Sequence, residues 1–133
     1  ARESLFREVI IPNLNMGKIV VADRSAYSTE AYQGYGDGVD LNLIRRMNNK
    51  ATRGIRPDLL FIIDIDAEVG LRKEKEKGRI SAKGLEYHQR VNQGYREIAK
   101  NNQDISILTP YQEGDISGTH EEIRHHVFER LKL

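Results

Sequence analysis

A chain of 133 residues is long enough for one domain, and its 21 basic side chains stand against 20 acidic ones for a formal charge of +1. That balance argues against a protein that coats nucleic acid, while 38% hydrophobic and 31% charged residues exclude a disordered chain or a collagen-like fibre. With no cysteine, disulfides, thiolate metal sites and cysteine nucleophiles are removed together, leaving chemistry to carboxylates, Arg, Lys, His, Ser, Thr and Tyr.

In chain order, Ala1 to Leu14 reads as the inside of a helix, with Leu5, Val9 and Ile10 on one side. A start within an element reads as a fragment, or as a chain whose upstream part is missing. Pro12 lacks an N–H and clashes backward, so the helix is expected to kink or end near Glu8 to Ile11, and Gly17 to turn the chain into a strand. Three short apolar runs, Ile19–Ala22, Leu59–Ile63 and Ile105–Leu108, lack in/out alternation and predict strands buried on both faces. Between and after them lie helical patterns carrying Leu43, Ile44, Met47 and Ala51, then His88, Val91, Tyr95 and Ile98, then Ile123, Val127 and Leu131. Asp40 and Asp66 sit where carboxylates cap helix starts, Thr119 and Glu122 have capping-box spacing, and Pro110 to Gly118 reads as a polar loop. The alternation of strand and helix predicts an α/β fold with a parallel sheet in a single domain over residues 1–133. No apolar run approaches the length of a membrane span and no signal-peptide pattern opens the chain, so a cytoplasmic protein with neither a membrane nor a nucleic-acid partner is expected.

Ligands of open α/β sheets bind beyond the carboxyl ends of the strands, which directs attention to Asp23-Arg24, Asp64-Ile65-Asp66 and Thr109-Pro110. Asp23, directly after an apolar run, could hold magnesium through water or orient an arginine, or could simply form a turn. Arg24 beside it favours the first reading, because a guanidinium fork suits a phosphate. Ser25 to Gly38 then packs three Tyr, one Gln, two Ser, one Thr and three Gly into 14 residues, either a mixture of aromatic faces and hydrogen-bonding groups suited to a base and sugar or a polar loop with its tyrosines folded back on the sheet. Arg72, Lys73, Lys75, Lys77, Arg79 and Lys83 against Glu74 and Glu76 form the basic cluster, either a solvated helix face or cations that close over an anionic substrate. His120, His125 and His126 lack the spacing of metal ligands on one helix face and read as surface, while His88 reads as packed.

The run Asp23 to Gly38 resembles bacterial-type thymidylate kinase. The resemblance rests on Arg2, Pro12, Asp23-Arg24 and Ser28-Thr29-Glu30-Ala31-Tyr32-Gln33-Gly34 in order, then Pro57-Asp58-Leu59, Glu68-Val69-Gly70-Leu71, Arg79, His88, Arg90-Val91 and Gly94-Tyr95. It implies a P-loop nucleoside-monophosphate kinase fold, a parallel sheet flanked by helices seen here as a C-terminal portion. The implied reaction is transfer of the γ-phosphoryl group of ATP to dTMP with Mg2+, in a homodimer to which the faces around Leu5 and Leu43 could contribute. By position, the resemblance gives Arg2 and Thr29 the thymine, Arg24 the acceptor phosphate, Tyr32 the deoxyribose with Ser28 and Gln33 nearby, and Asp23 the magnesium side. It gives Arg79, with Arg72 or Lys73, the lid and adenine side, over a lid of about residues 72–84. Two departures accompany it. The pattern G-x-x-x-x-G-K-[ST], which that family carries upstream of Arg2, does not occur in these residues, and the usual Asp-Arg-x-Glu of the lid reads Gly78-Arg79-Ile80-Ser81. Asp23-Arg24-Ser25 with Tyr27 and Ser28 also resembles deoxynucleoside kinases, which makes a nucleoside acceptor the alternative. A non-catalytic nucleotide-binding or dimerising remnant is the third reading.

Overall fold

The computed structural model describes residues 2–76 and 83–133. The chain forms two compact units, Ala1–Arg56 and Pro57–Leu133.

In the first unit α1 (Arg2–Leu5) widens into a π-helical stretch (Phe6–Ile10) and continues as α2 (Ile11–Asn15). Pro12 therefore does not end the helix. The Ile11 N–H reaches back to the Phe6 carbonyl, five residues away, so the ladder is looser just before the residue that cannot donate to it. Gly17, at φ +75°, makes the expected turn. The segment after it is not a strand, because a strand needs a ladder and this unit supplies no second one; Ile19 and Val21 are exposed. Asp23 and Arg24 form a bend, and α3 (Ala26–Thr29) follows, capped by the Ser25 hydroxyl, which accepts from the Tyr27 N–H at 3.2 Å.

A second π-helical stretch (Glu30–Gly36) extends α3, and α4 (Leu41–Thr52) returns against it, starting at the expected Asp40 cap. A Cβ on Gly34 would collide with Leu41 and approach Ile44 Cδ1 to 3.4 Å, so the glycine lets the two helices come this close. Ile10, Ala31 and Ile44 form the apolar core of this unit.

The second unit holds two parallel strands, β1 (Leu60–Asp64) and β2 (Ser106–Pro110), paired from Leu60 with Ser106 to Asp64 with Pro110. The sheet has two strands rather than three. Ile63 and Leu108 are exposed, so burial on both faces does not hold either: each strand has one bonded neighbour, and few elements cover the pair. The chain between them forms α5 (Ala67–Glu76) and α6 (Leu85–Asn101), the latter placing Val91, Gly94 and Ile98 on one buried face. Asp66 caps the start of α5 as expected, accepting from the Glu68 N–H at 2.9 Å. The last helix, α7 (Ile116–Leu131), starts a turn earlier than the Thr119 spacing predicts. Asp115 is its cap, accepting from the Gly118 N–H at 2.9 Å, and Thr119 lies within the helix. Among the described residues no helix is long and apolar enough to cross a membrane.

Candidate active site

The residues picked out at the end of the first apolar run lie in the first unit, at the start of α3. Arg24 occupies the left-handed region at φ +75°, which an L side chain adopts at a cost of about 1–2 kcal/mol. The bend delivers the next residue, Ser25, to the cap of α3. The Arg24 guanidinium carbon stands 5.7 Å from the centre of the Tyr32 ring, within cation–π range. Tyr32 lies one turn beyond Thr29, on the π-helical extension; such stretches are frequent at functional sites because they redirect side chains.

Arg2 reaches the same place from α1. Its Nη2 donates to Thr29 Oγ1 at 2.9 Å and to the Ser25 carbonyl at 3.3 Å, while Nη1 donates to Asn48 Oδ1 at 3.2 Å. Arg2 is thus fixed on the residue that follows Arg24. These bonds leave the Nε–H and an Nη1–H of Arg2 for a ligand. Because the Thr29 hydroxyl already accepts from Arg2, its own hydrogen points elsewhere as a donor. Arg2, Arg24, Thr29 and Tyr32 are brought together around one helix start. Ser28 is half-buried on α3, and Gln33 and Asp23 are exposed. An open hollow at the start of α4, lined by Asp40, Asn42, Arg45, Arg46 and Asn49, contains none of the candidate site residues.

For magnesium, the observation that bears on fit is the donor set. Among the described residues no group of three or more His, Asp or Glu side chains could hold a metal by themselves. Mg2+, however, keeps several waters and is held by one or two carboxylates together with substrate phosphates, so the single exposed carboxylate of Asp23 fits that use.

In the second unit two basic residues of α5, Arg72 and Lys73, are engaged. Lys73 Nζ lies 3.3 Å from Glu113 Oε1 and 5.5 Å from the centre of the Tyr111 ring, and Arg72 Nη2 lies 3.5 Å from Glu113 Oε2. Tyr111, and then Glu113, raise the Lys73 pKa by hydrogen bonding to the charged form. At the carboxyl end of β1, Asp64 receives both Nε and Nη2 of Arg96, and the Asn92 amide donates to the Ile65 carbonyl at 2.7 Å. Residues 77–82 of the expected lid, Arg79 among them, lie outside the described residues. His126 is not a surface residue as expected but half-buried, its ring 6.4 Å from that of Phe61.

Two contributors were missed by the sequence reading. Asn48 was passed over because apolar positions alone were used to draw the face of α4, yet it lies midway between Ile44 and Thr52, both buried, on one i, i+4 stripe. A half-buried amide on such a stripe is the signal of a required hydrogen bond. Glu113 carries no local pattern, since its partners are 40 and 41 residues away.

The family model described as thymidylate kinase matches residues 1–123, across both units. Thymidylate kinase of Trichodesmium erythraeum is 50% identical over 97 residues, covering 71% of this chain and 43% of that protein. The thymidylate kinase of Maridesulfovibrio salexigens is 41% identical over 136 residues, covering 94% and 62%. Among solved structures, thymidylate kinase from Ehrlichia chaffeensis superimposes with a TM-score of 0.72 at 32% identity, over 95% of this chain and 58% of that one. The chain spans about half the length of the curated relatives it matches. The α/β architecture is accordingly that of a P-loop nucleoside-monophosphate kinase. Since sequence and fold agree over nearly all of its residues, the chain belongs to the thymidylate kinase family.

Proposed function

We infer that this chain supplies the acceptor side of a phosphotransferase that moves the γ-phosphoryl group of ATP to dTMP, giving dTDP. The observation that carries the reading is the pair of guanidinium groups at the start of α3, Arg2 tied to the Ser25 carbonyl and Arg24 one residue earlier. One pairs with the base and the other with the phosphate. Arg2 offers only donors, which suits the carbonyl oxygens of thymine, and the Thr29 hydroxyl faces the same edge with its hydrogen free. Arg24 is a fork for the acceptor phosphate, and its strained backbone is characteristic of residues placed for binding rather than for stability. The Tyr32 ring stands beside Arg24 and lies against the deoxyribose, with Ser28 and Gln33 on the same helical run. Catalysis of phosphoryl transfer is mostly positioning and charge stabilisation, so arginine, amide and hydroxyl groups are the expected machinery.

On this reading Asp23 is the residue that holds Mg2+, directly or through water. When bound, the ion neutralises charge on the phosphates. Arg72 and Lys73 serve the ATP side together with Arg79, and Glu113 competes with ATP for the first two. The two compact units belong to one kinase domain, a reading supported by the family match that runs across both. We also propose a homodimer, supported by the exposed apolar side chains of Leu5 and Leu43, and a cytoplasmic location, where both nucleotides are made and used.

Calorimetric titration of the chain with dTMP, with thymidine and ATP in parallel, tests the reading. Binding of dTMP with little for thymidine is the expected result. Equal binding of thymidine would transfer the assignment to a nucleoside kinase, and no binding of any of the three would leave a structural remnant.

A further inference from the structure

We propose that Asn48 is a positioning residue that holds Arg2 in its base-facing geometry, an inference that rests on the dTMP reading for its consequence in binding but not for the contact itself. Asn48 uses both ends of its amide: Oδ1 accepts from Arg2 Nη1 at 3.2 Å, and Nδ2 donates to the Ala26 carbonyl at 3.0 Å. The orientation follows from chemistry. A guanidinium only donates and a carbonyl only accepts, so the flipped amide would face both with the wrong group. Asn48 lies on the stripe of α4 between the buried Ile44 and Thr52 and is itself half-buried, so its polar ends cannot turn to water without leaving that face.

Arg2 starts α1, and its other two bonds go to Ser25 and Thr29 at α3. Without Asn48 the guanidinium would be held from the α3 side alone, free to pivot about those bonds. The bond to Asn48 closes a bracket of α1, α3 and α4 around the group and fixes which N–H faces outward. An arginine side chain in water loses considerable rotamer freedom on becoming fixed, and a group ordered before the ligand arrives spares the ligand that cost.

The two ends of the amide can be separated experimentally. Asn48→Asp keeps an acceptor for Arg2 but meets the Ala26 carbonyl with a second oxygen, whereas Asn48→Ala removes both contacts. If Asn48→Ala does not fold, Asn48→Leu retains the bulk and removes the same two bonds.

The readout in the ligand-free 133-residue chain is guanidinium rotation of Arg2, measured by nitrogen-15 exchange NMR. Rotation should be slow in the parent chain and in Asn48→Asp, and faster by about tenfold in Asn48→Ala. Calorimetric titration with dTMP should follow the same order, with affinity within about threefold of the parent for Asn48→Asp and about tenfold lower for Asn48→Ala. Unchanged Arg2 rotation in Asn48→Ala would overturn the proposal. So would an Asn48→Asp chain as weak for dTMP as Asn48→Ala, since anchoring of α3 would then be the operative contact. If the parent chain takes no dTMP, the acceptor reading falls, and the Arg2 rotation rates alone decide whether Asn48 holds it.

Discussion

Glu30 holds Arg45 through a single oxygen, Oε1 lying 2.8 Å from Nε and 2.7 Å from Nη2. The Glu30 side chain is 10% exposed and that of Arg45 44%, so the pair joins the π-helical stretch to α4 with the acid inside and the base at the boundary. The hydrogen bond to Glu30 is the main cause of the raised Arg45 pKa, and a guanidinium that is already fully charged gains no pH dependence from it in the working range. Arg45→Ala leaves a nearly buried carboxylate without its cation. Because Arg45 is half exposed and water can replace part of the contact, the expected loss is about 2 kcal/mol rather than the larger value for a fully buried pair. Urea denaturation followed by circular dichroism measures it, and an unchanged midpoint would remove the pair from the stability of this unit.

Arg24 separates binding from stability. Arg24→Ala should weaken dTMP binding by about 2 kcal/mol, the scale of a lost charge-assisted hydrogen bond, and leave thymidine unaffected. Arg24→Gly should weaken dTMP binding equally yet raise stability by about 1 kcal/mol, because glycine reaches φ +75° without the steric penalty. Calorimetry and a thermal melt on both variants check the pair of outcomes. Destabilisation by glycine would mean that the Arg24 side chain contributes more to the fold than its backbone costs.

Tyr32 has a ring that faces Arg24 and a hydroxyl at its far end, and the two are separable. Tyr32→Phe keeps the ring and should hold dTMP affinity within about threefold, while Tyr32→Ala should lower it by about tenfold and narrow the preference for deoxy over ribo acceptors. Parallel titrations with dTMP and its ribonucleotide counterpart read both effects. An unaltered deoxy-to-ribo ratio in Tyr32→Ala would end the steric role.

Lys73 gives a prediction at alkaline pH. Its pKa is raised above the ordinary 10.5, first by Tyr111 and then by Glu113. A cation with a raised folded pKa contributes fully below its unfolded value, and the contribution disappears as pH climbs through the folded one, so the contact should loosen only above about pH 10.5. Glu113 is open to solvent and Lys73 partly so, and added salt should weaken the contact further. NMR titration of the Lys73 ammonium in the parent chain and in Tyr111→Phe is the check, with the pKa expected to fall toward its ordinary value in the variant.

How much of this was legible in the sequence depended on the range of the interactions involved. The helix start at Asp40, the turn at Gly17 and the face of α6 through Val91 and Ile98 are set by neighbours a turn or two away, and they were readable. Arg24 and the run holding Thr29 and Tyr32 stand out by their residue chemistry, whereas Arg2 is marked only by family resemblance, and its meeting with Thr29 spans 27 residues, which periodicity does not encode. Ile19–Ala22 shows the opposite failure: it has the composition of a strand, but pairing is a property of partners. The cap at Asp115 is hidden in the sequence by the Thr119–Glu122 pair, whose capping-box spacing is the stronger local pattern, whereas a single Asp with Gly118 beneath its carboxylate closes the turn as well.

The π-helical stretch from Glu30 to Gly36 has a consequence for how this segment tolerates change in length. Its Asp37 N–H bonds to the Tyr32 carbonyl, five residues back, so the turn accommodates one residue more than an α-helix would. Removing any one residue there would let the ladder close into ordinary α-helix at little local cost. Positions before the deletion would then rotate relative to α4, carrying the Ala26 carbonyl off the Asn48 amide, so the count of residues between Thr29 and Asp40 constrains this segment as strictly as their identities do.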